Sequence, residues 1–298
     1  MEKKSGFVAI LGRPNVGKST LLNTLLKEKV SIISKIPQTT RFQIRGILNE
    51  ERGQIIFVDT PGFHLSKNQL SKYLNSAALK AKKDADLILY MVDLTRSVGE
   101  EERVLVSQLK DSERPIIMVL NKIDLSEGFL NDYVKLWQEA PKEKDPLKYF
   151  IPVSSLKGDN ISNLIEEIFS LLPVAQPYYP EDILSDFPQR LNIAEIIREK
   201  LLNSLREELP HSVAVMTDEM ISRKNNLTYI KAIILVERDS QKSIVIGKKG
   251  EMLKKIGELA RKEIEELLEK KVYLELFVKT EKKWQENPYI LRRLGYLA

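Results

Sequence analysis

Short apolar runs alternate with helical patterns over the first 172 residues of the chain. The clearest predicted strands span residues 53–59, 86–93, 115–121 and 149–153. Apolar positions three and four residues apart predict helices over residues 68–83, 98–110 and 161–172. Because runs such as 87–92 and 116–120 are apolar on both faces, they are typical of parallel strands covered by helices. The pattern predicts a doubly wound α/β domain.

Three prolines at positions 173, 177 and 180 interrupt this alternation and predict a stiff linker. Beyond the linker the pattern predicts a helix over 191–209, helices around a glycine loop near residue 247, and strands over 213–216, 229–237 and 272–278. This order is typical of a smaller α+β domain. We therefore predict two domains, residues 1–180 (including the linker) and 181–298.

Composition narrows the class of protein and the kind of metal site. The 298 residues are 43% hydrophobic and 30% charged, no apolar run approaches the roughly 18 residues of a membrane span, and no signal-peptide core follows Met1, so we expect a soluble cytoplasmic protein. With no cysteine and only His64 and His211, any metal should be bound by oxygen. Neither histidine has a partner at a recognisable spacing, so we expect no functional role for them. The net charge of +5 permits an anionic partner such as RNA, but it equally suits a well-solvated surface.

The most specific motif is a phosphate-binding loop, G-x-x-x-x-G-K-[ST]. It consists of Gly12, Arg13, Pro14, Asn15, Val16, Gly17, Lys18 and Ser19, and Thr20 continues into a predicted helix. An apolar strand precedes it, as the motif requires. In such a loop the backbone N–H groups surround a polyphosphate, Lys18 contacts the outer phosphates, and the Ser19 hydroxyl ligates Mg²⁺. The chain is predicted to bind a nucleoside triphosphate with Mg²⁺.

Two further motifs follow predicted strands. The first is Asp59, Thr60, Pro61 and Gly62, where the carboxylate can hold Mg²⁺ through water and the Gly62 N–H can contact the γ-phosphate. The second contains Asn121, Lys122 and Asp124, and the Asp124 carboxylate matches the two donors that guanine, but not adenine, presents. Ser154, Ser155 and Leu156, at the next strand end, form a weaker candidate for a base-contacting loop.

These motifs, in this order over residues 6–172, resemble the translation-factor-related GTPases. The resemblance implies GTP as substrate, and it implies that Thr39 or Thr40, in the switch I segment, ligates Mg²⁺; the motif does not decide which. It suggests Asn15, Lys18, Thr39, Thr40 and Gly62 as catalytic residues. A Thr-rich surface loop is the alternative interpretation of residues 37–41.

Two positions bear on the mechanism. Phe63 stands where Ras-type GTPases have a glutamine that orients water, so we predict slow unaided hydrolysis and little effect of Phe63→Ala on the residual chemistry. Asn15, together with Thr39-Thr40-Arg41, resembles GTPases that use K⁺ in place of an arginine finger. This resemblance makes K⁺ a second candidate cofactor.

The glycine loop of the second domain is Gly247-Lys248-Lys249-Gly250, between two apolar helical segments. With the preceding helix-strand-strand order it resembles a type II KH domain. That resemblance implies that the two glycines and two lysines clamp an RNA backbone, with Ile244 and Ile246 as candidates for the wall of the base-binding groove. A helix-turn-helix connection with solvated lysines is the alternative.

A G domain followed by a KH domain over nearly the whole chain closely resembles the Era family of bacterial GTPases. The resemblance implies binding to 16S rRNA near its 3′ end, a role in assembly of the 30S ribosomal subunit, and a peripheral association with the inner membrane; no obligate oligomer is indicated. Two alternatives remain, an RNA-binding scaffold that only binds GTP and an RNA-modifying enzyme. The second lacks support, because no nucleophile or further cofactor motif follows residue 180.

Overall fold

The computed structural model of the protein describes residues 2–65, 69–126, 128–140, 145–205 and 209–297. The chain divides into two compact units. The first contains Met1–Ile33, Thr40–Lys67 and Leu74–Asp186, and the second contains Ser34–Thr39, Asn68–Tyr73 and Phe187–Ala298. None of the described helices is long and apolar enough to cross a membrane.

The first unit is built on a six-stranded sheet in the order β2-β3-β1-β4-β5-β6, in which only β2 runs antiparallel to its neighbour. The strands are β1 (Lys4–Leu11), β2 (Ile44–Glu50), β3 (Gly53–Asp59), β4 (Leu87–Asp93), β5 (Ile116–Asn121) and β6 (Leu147–Val153). The helices are α1 (Lys18–Leu26), α2 (Gln69–Asp84), α3 (Glu100–Lys110), α4 (Leu130–Glu139) and α5 (Ile161–Leu171).

Every residue of β3, β4 and β5 is buried. One core cluster joins residues such as Ile88 and Met118 of the sheet to Leu105 of α3 and Trp137 of α4. The doubly wound α/β prediction is confirmed. Because ligands of such sheets bind at the carboxyl ends of the strands, the loops after β1, β3, β5 and β6 mark where a site should lie.

The second unit packs helices on a three-stranded sheet in the order β7-β8-β9. β8 pairs antiparallel with β7 and parallel with β9. Its elements are α6 (Gln189–Ser204), α7 (Leu209–Ser212), β7 (Ala214–Arg223), β8 (Leu227–Val236), α8 (Asp239–Ile246), α9 (Glu251–Leu268), β9 (Lys271–Thr280) and α10 (Pro288–Arg293). Ile256, Ala260 and Ile264 of α9, spaced four apart, are fully buried in its core. The α-β-β-α-α-β order of a type II KH domain is therefore present, with the short α7 added.

Several boundaries differ from the sequence prediction. The predicted helix 191–209 is α6 followed by the separate α7, and residues 206–208 lie outside the described part of the chain, as does residue 68 at the start of the predicted helix 68–83. The predicted strand 213–216 is only the beginning of β7, which continues to Arg223. The strand β2 and the helices α4 and α10 were not predicted.

Candidate nucleotide site and RNA interface

The phosphate loop connects β1 to α1 and leaves no room for side chains at its two glycines. A Cβ on Gly12, whose φ is 156°, would lie 2.3 Å from the Met91 carbonyl oxygen. A Cβ on Gly17, with φ 106°, would lie 2.4 Å from Asn121 Nδ2. Only glycine fits at both positions, because the loop passes so close to Met91 and Asn121.

Arg13, Pro14, Asn15 and Val16 form the turn between these glycines, and Asn15 has a left-handed φ of 64°. Thr20 lies in the first turn of α1. All residues of the predicted loop motif therefore lie at the carboxyl end of β1, where the sequence pattern required them.

Lys18 is buried, and its ammonium group is bound by the loop itself. Lys18 Nζ donates hydrogen bonds to the carbonyl oxygens of Gly12 (3.2 Å) and Arg13 (3.0 Å). Burial lowers the pKa of Lys18 to about 8, although the nearby Asp59 carboxylate opposes the shift. Because two carbonyl dipoles and one buried carboxylate compensate this charge only in part, a polyphosphate would be a stronger partner.

Four oxygen-bearing side chains meet beside the loop. Ser19 Oγ donates to Asp59 Oδ2 at 2.6 Å and lies 2.8 Å from Thr40 Oγ1. Ser31 Oγ also donates to Asp59 Oδ2, at 3.0 Å, a contact that the sequence motifs did not reveal. Asp59 Oδ1 is buried without a hydrogen-bond partner among the described residues, and burial raises the pKa of this carboxyl group.

This oxygen cluster fits Mg²⁺, which prefers hard oxygen ligands and needs few from the protein. Ser19, Thr40 and Asp59 are the residues that would hold the ion. The Thr39 hydroxyl donates to the Ile36 carbonyl oxygen at 2.6 Å, whereas the Thr40 hydroxyl contacts Ser19. Of the two switch I candidates, the geometry favours Thr40.

The segment after β3 lies directly against the phosphate loop. The Phe63 N–H donates to the Gly12 carbonyl oxygen at 3.1 Å, and the Thr60 hydroxyl donates to the Ile10 carbonyl oxygen at 2.7 Å. A Cβ on Gly62 would lie 2.7 Å from Pro14 Cα, so this approach also requires glycine. Pro61 and Gly62 thus lie where a terminal phosphate would have to be contacted.

Asn121, at the end of β5, ties two loops together. Its Nδ2 donates to the Val16 carbonyl oxygen (2.7 Å), and its Oδ1 accepts from both the N–H and the hydroxyl of Ser155 (2.9 Å each). Thr24 of α1 adds a hydrogen bond to the Ser155 carbonyl oxygen at 2.7 Å. Asn121 therefore links the phosphate loop to the loop of Ser155 through three buried hydrogen bonds.

Asp124 lies in the turn that follows Asn121. Among the residues that the structure describes, no donor binds its carboxylate, so both oxygens are available to a base. Lys122 has a left-handed φ of 72° and pairs with the buried Asp93 carboxylate at 2.5 Å. The neighbouring loop has Ser154 buried, with its Oγ accepting from the Lys157 N–H at 3.1 Å, whereas Leu156 is 78% exposed.

A second group of polar residues near the phosphate loop was missed. His64 Nδ1 donates to Glu101 Oε1 at 2.6 Å, although we expected no partner for this histidine. Glu101 also pairs with Arg13 of the phosphate loop, and Glu102 binds the same arginine. Sequence spacing could not find this contact, because His64 and Glu101 are 37 residues apart and only the fold brings α3 beside the loop after β3.

In the second unit, the glycine loop joins α8 to α9 with three left-handed residues. Gly247, Lys249 and Gly250 have φ values of 75°, 52° and 81°. Lys248 and Lys249 are exposed, which suits contact with phosphates. Ile244 is 53% exposed and Ile246 is partly buried, whereas Val245 between them lies in the core.

A groove of about 430 Å³ begins at this loop and runs between α9 and β9. It is lined by Gly250, Leu253, Lys254, Gly257, Glu258, Arg261, Leu274 and Leu276. Ile244 and Ile246, the predicted wall residues, are not in this lining; the apolar wall comes from Leu253, Leu274 and Leu276. The sequence signal for these residues was the apolar pattern of α9 and β9, which did not show which positions face outward.

A phosphate loop, the Asn121-Lys122-Asp124 motif after β5 and a KH glycine loop on one chain are the features of a GTPase of the phosphate-loop class with an RNA-binding domain. Residues 7–122 match the family described as 50S ribosome-binding GTPase, and residues 208–285 match the KH domain family. The GTPase Era of Geotalea daltonii is 47% identical over 294 residues, which cover 98% of this chain and 97% of the relative. For the GTPase Era of Halothermothrix orenii the identity is 46%, with 99% of each covered.

Two solved structures are similar over the whole chain. Era in complex with MgGDPNP and nucleotides 1506–1542 of 16S ribosomal RNA is 41% identical, with a TM-score of 0.93 and coverage of 99% of this chain and 100% of that one. An Aquifex aeolicus Era variant bound to GDP·AlF₄⁻ is 42% identical, with a TM-score of 0.91 and the same coverage. The chain belongs to the Era family of GTPases, and it binds and hydrolyses GTP.

Proposed function

We propose that this chain binds 16S rRNA near its 3′ end through the KH loop and the groove beside it, and that it acts in assembly of the 30S subunit with GTP hydrolysis as a timer. The observation that carries the proposal is the full-length similarity to an Era whose structure contains nucleotides 1506–1542 of that RNA. The exposed Lys248 and Lys249 supply countercharge for the RNA backbone, and the apolar wall of the groove suits the faces of bases.

In the GTPase unit, different groups of residues bind the phosphates, orient the γ-phosphate and hold Mg²⁺. The loop amides and Lys18 bind the phosphates, and the Gly62 N–H orients the γ-phosphate for in-line attack by water. When bound by Ser19, Thr40 and Asp59, Mg²⁺ neutralises charge on the phosphates. Because Phe63 has no polar group with which to orient the water, turnover without a partner should be slow.

The RNA proposal is tested by binding of an RNA that spans nucleotides 1506–1542, measured by fluorescence anisotropy. In the Lys248→Ala/Lys249→Ala variant we expect affinity to fall about tenfold or more and its salt dependence to become shallower, because two phosphate contacts are lost. Lys255→Ala/Lys262→Ala is the matched control, since these lysines line a different pocket on α9. Equal losses in the two variants would show that general charge, not the glycine loop, binds the RNA.

A K⁺ requirement is the second part of the proposal. It is supported by Asn15 in the phosphate loop together with Thr39-Thr40-Arg41. Hydrolysis in KCl should exceed that in NaCl at equal ionic strength, and Asn15→Ala should remove the difference. Equal rates in the two salts would exclude K⁺ as a cofactor.

Location in the cytoplasm and a peripheral association with the inner membrane stay predictions from the resemblance. Fractionation of cells that express the protein would test both.

A further inference from the structure

Glu101 lies in the first turn of α3, and the two oxygens of its carboxylate contact residues in two different loops of the GTPase unit. Its Oε2 lies 3.2 Å from Arg13 Nε in the phosphate loop. Its Oε1 accepts a hydrogen bond from His64 Nδ1 at 2.6 Å, and His64 lies two residues after Gly62. One side chain thus connects the loop that holds the phosphates to the segment that would contact the γ-phosphate.

The helix that carries Glu101 has a fixed start. Glu102 Oε2 accepts from the Gly99 N–H at 2.8 Å, which caps the first turn of α3, and its Oε1 accepts from Arg13 Nη1 at 2.8 Å. The Glu102 side chain is 2% exposed. Because α3 and Arg13 are held by this buried pair, Glu101 is a fixed point against which His64 can be positioned.

The contacts of both loops show what such positioning would affect. The Arg13 carbonyl oxygen accepts from Lys18 Nζ, and the Phe63 N–H donates to Gly12. The Asn75 side chain binds the His64 main chain, at 3.2 and 2.7 Å, so Glu101 is the second contact that fixes His64. Because His64 lies two residues from Gly62, loss of the Glu101 contact should change the distance between the Gly62 N–H and the phosphate loop.

The same pair contributes little to stability. The His64 side chain is 40% exposed, and a hydrogen bond between partly exposed side chains contributes about 1 kcal/mol. The hydrogen bond between His64 and Glu101 therefore adds little to the free energy of unfolding, although it connects two functional loops. This combination suits a role in positioning.

We propose that Glu101 is a positioning residue for GTP hydrolysis, acting through Arg13 and His64 to hold Gly62 at the γ-phosphate. It does not contact the nucleotide. The proposal rests on the GTPase activity and is independent of RNA binding, so its test contains no RNA and can fail without affecting the RNA proposal.

The test compares Glu101→Ala with Glu100→Ala, which removes an exposed carboxylate from the same turn of α3. We expect the single-turnover rate constant at saturating GTP to fall about five- to tenfold in Glu101→Ala, with GDP affinity and the thermal midpoint within error of the control. A rate equal to the control, or a higher one, overturns the proposal. So does a parallel loss of rate, GDP affinity and thermal midpoint, which would indicate a purely structural role.

A second variant tests the route through His64. His64→Ala should reduce the rate by a similar factor, and the double variant should lose no more than either single variant, because both remove the same contact. His64→Asn, whose side-chain amide N–H stands close to the Nδ1 position and can still donate to the carboxylate, should recover most of the rate. Additive losses in the double variant, or no recovery with asparagine, would show that Glu101 does not act through His64.

Discussion

At the scale of single residues, the buried charge of Lys18 has a clear consequence for stability. Burial lowers the pKa of this ammonium group to about 8, from 10.5 for a lysine in water. Between these two pH values the unfolded chain binds more protons at this position than the folded chain does. The free energy of unfolding should therefore rise with pH across this window, and below pH 8 the buried charge lowers it by a constant amount.

We predict that Lys18→Met stabilises the nucleotide-free protein while it abolishes GTP hydrolysis. At pH 7 the free energy of unfolding should rise by up to roughly 3 kcal/mol, and the difference from the wild type should shrink as pH approaches 10. Urea denaturation of both proteins at pH 7 and pH 9.5 measures this, because other titrating groups are common to the two. A difference that does not depend on pH would show that packing of the methionine, not the buried charge, is responsible.

We predict that the Asp124 carboxylate selects guanine and that a single substitution changes the base that is bound. In Asp124→Asn the carboxamide keeps one acceptor but gains a donor, which suits the 2-oxo group of xanthine better than the 2-amino group of guanine. We expect GTP affinity to fall about 100-fold or more and xanthosine triphosphate to become the better ligand. Calorimetric titration of both nucleotides measures the exchange; Asp132→Asn, on α4, is the control. Unchanged GTP affinity would place guanine selectivity elsewhere.

At the scale of elements, the sequence predicted best the strands that are buried on both faces. β3 matches its predicted range, and β4 and β5 differ from theirs by one residue at the start. The edge strand β2 was missed because polar residues interrupt its apolar run and one side of it has no partner strand. Only the first part of β7 was predicted, because charged residues follow Met216 and the register shifts between Thr217 and Glu219.

The residues of the candidate site also fall into two groups, those that the sequence could predict and those that it could not. Residues joined by local motifs, such as Lys18 with Ser19 or Asn121 with Asp124, could be predicted from spacing along the chain. Ser31, Glu101 and the groove residues of β9 could not, because their partners lie on other elements and only the packing of helices on the sheet brings them together. Our preference for Thr40 over Thr39 as the Mg²⁺ ligand, which stays a prediction, needed coordinates for the same reason.

The loop after β3 contributes to the core as well as to the site. Phe63 is 5% exposed and packs in the cluster that contains Leu11 and Tyr90. We expect Phe63→Ala to lower the free energy of unfolding by about 3 kcal/mol, because it leaves a cavity, and Phe63→Leu to lower it much less. Hydrolysis per folded molecule should survive both changes. A complete loss of turnover with GTP still bound would assign a chemical role to the aromatic ring.

At the scale of the whole molecule, the proposed timer requires that RNA affinity depend on the nucleotide. If the GTP form orders switch I and favours RNA binding, affinity for the 1506–1542 RNA should be about fivefold or more higher with a nonhydrolysable GTP analogue than with GDP. By linkage, the RNA should raise affinity for the analogue by the same factor, which gives an independent measurement. Equal affinities in the two nucleotide states would leave GTP hydrolysis without a role in RNA release.

The hydrogen bonds of Asn121 join one protein group to another, so the chain itself links the loops that would hold the guanine. Lys18 Nζ donates to two carbonyl oxygens and has a third N–H left for the phosphates. We therefore expect GDP and GTP to meet the same linked loops when they bind. GDP and GTP should then associate at similar speeds and differ chiefly in residence time, so the lifetime of each complex, rather than its rate of formation, would report which nucleotide occupies the protein.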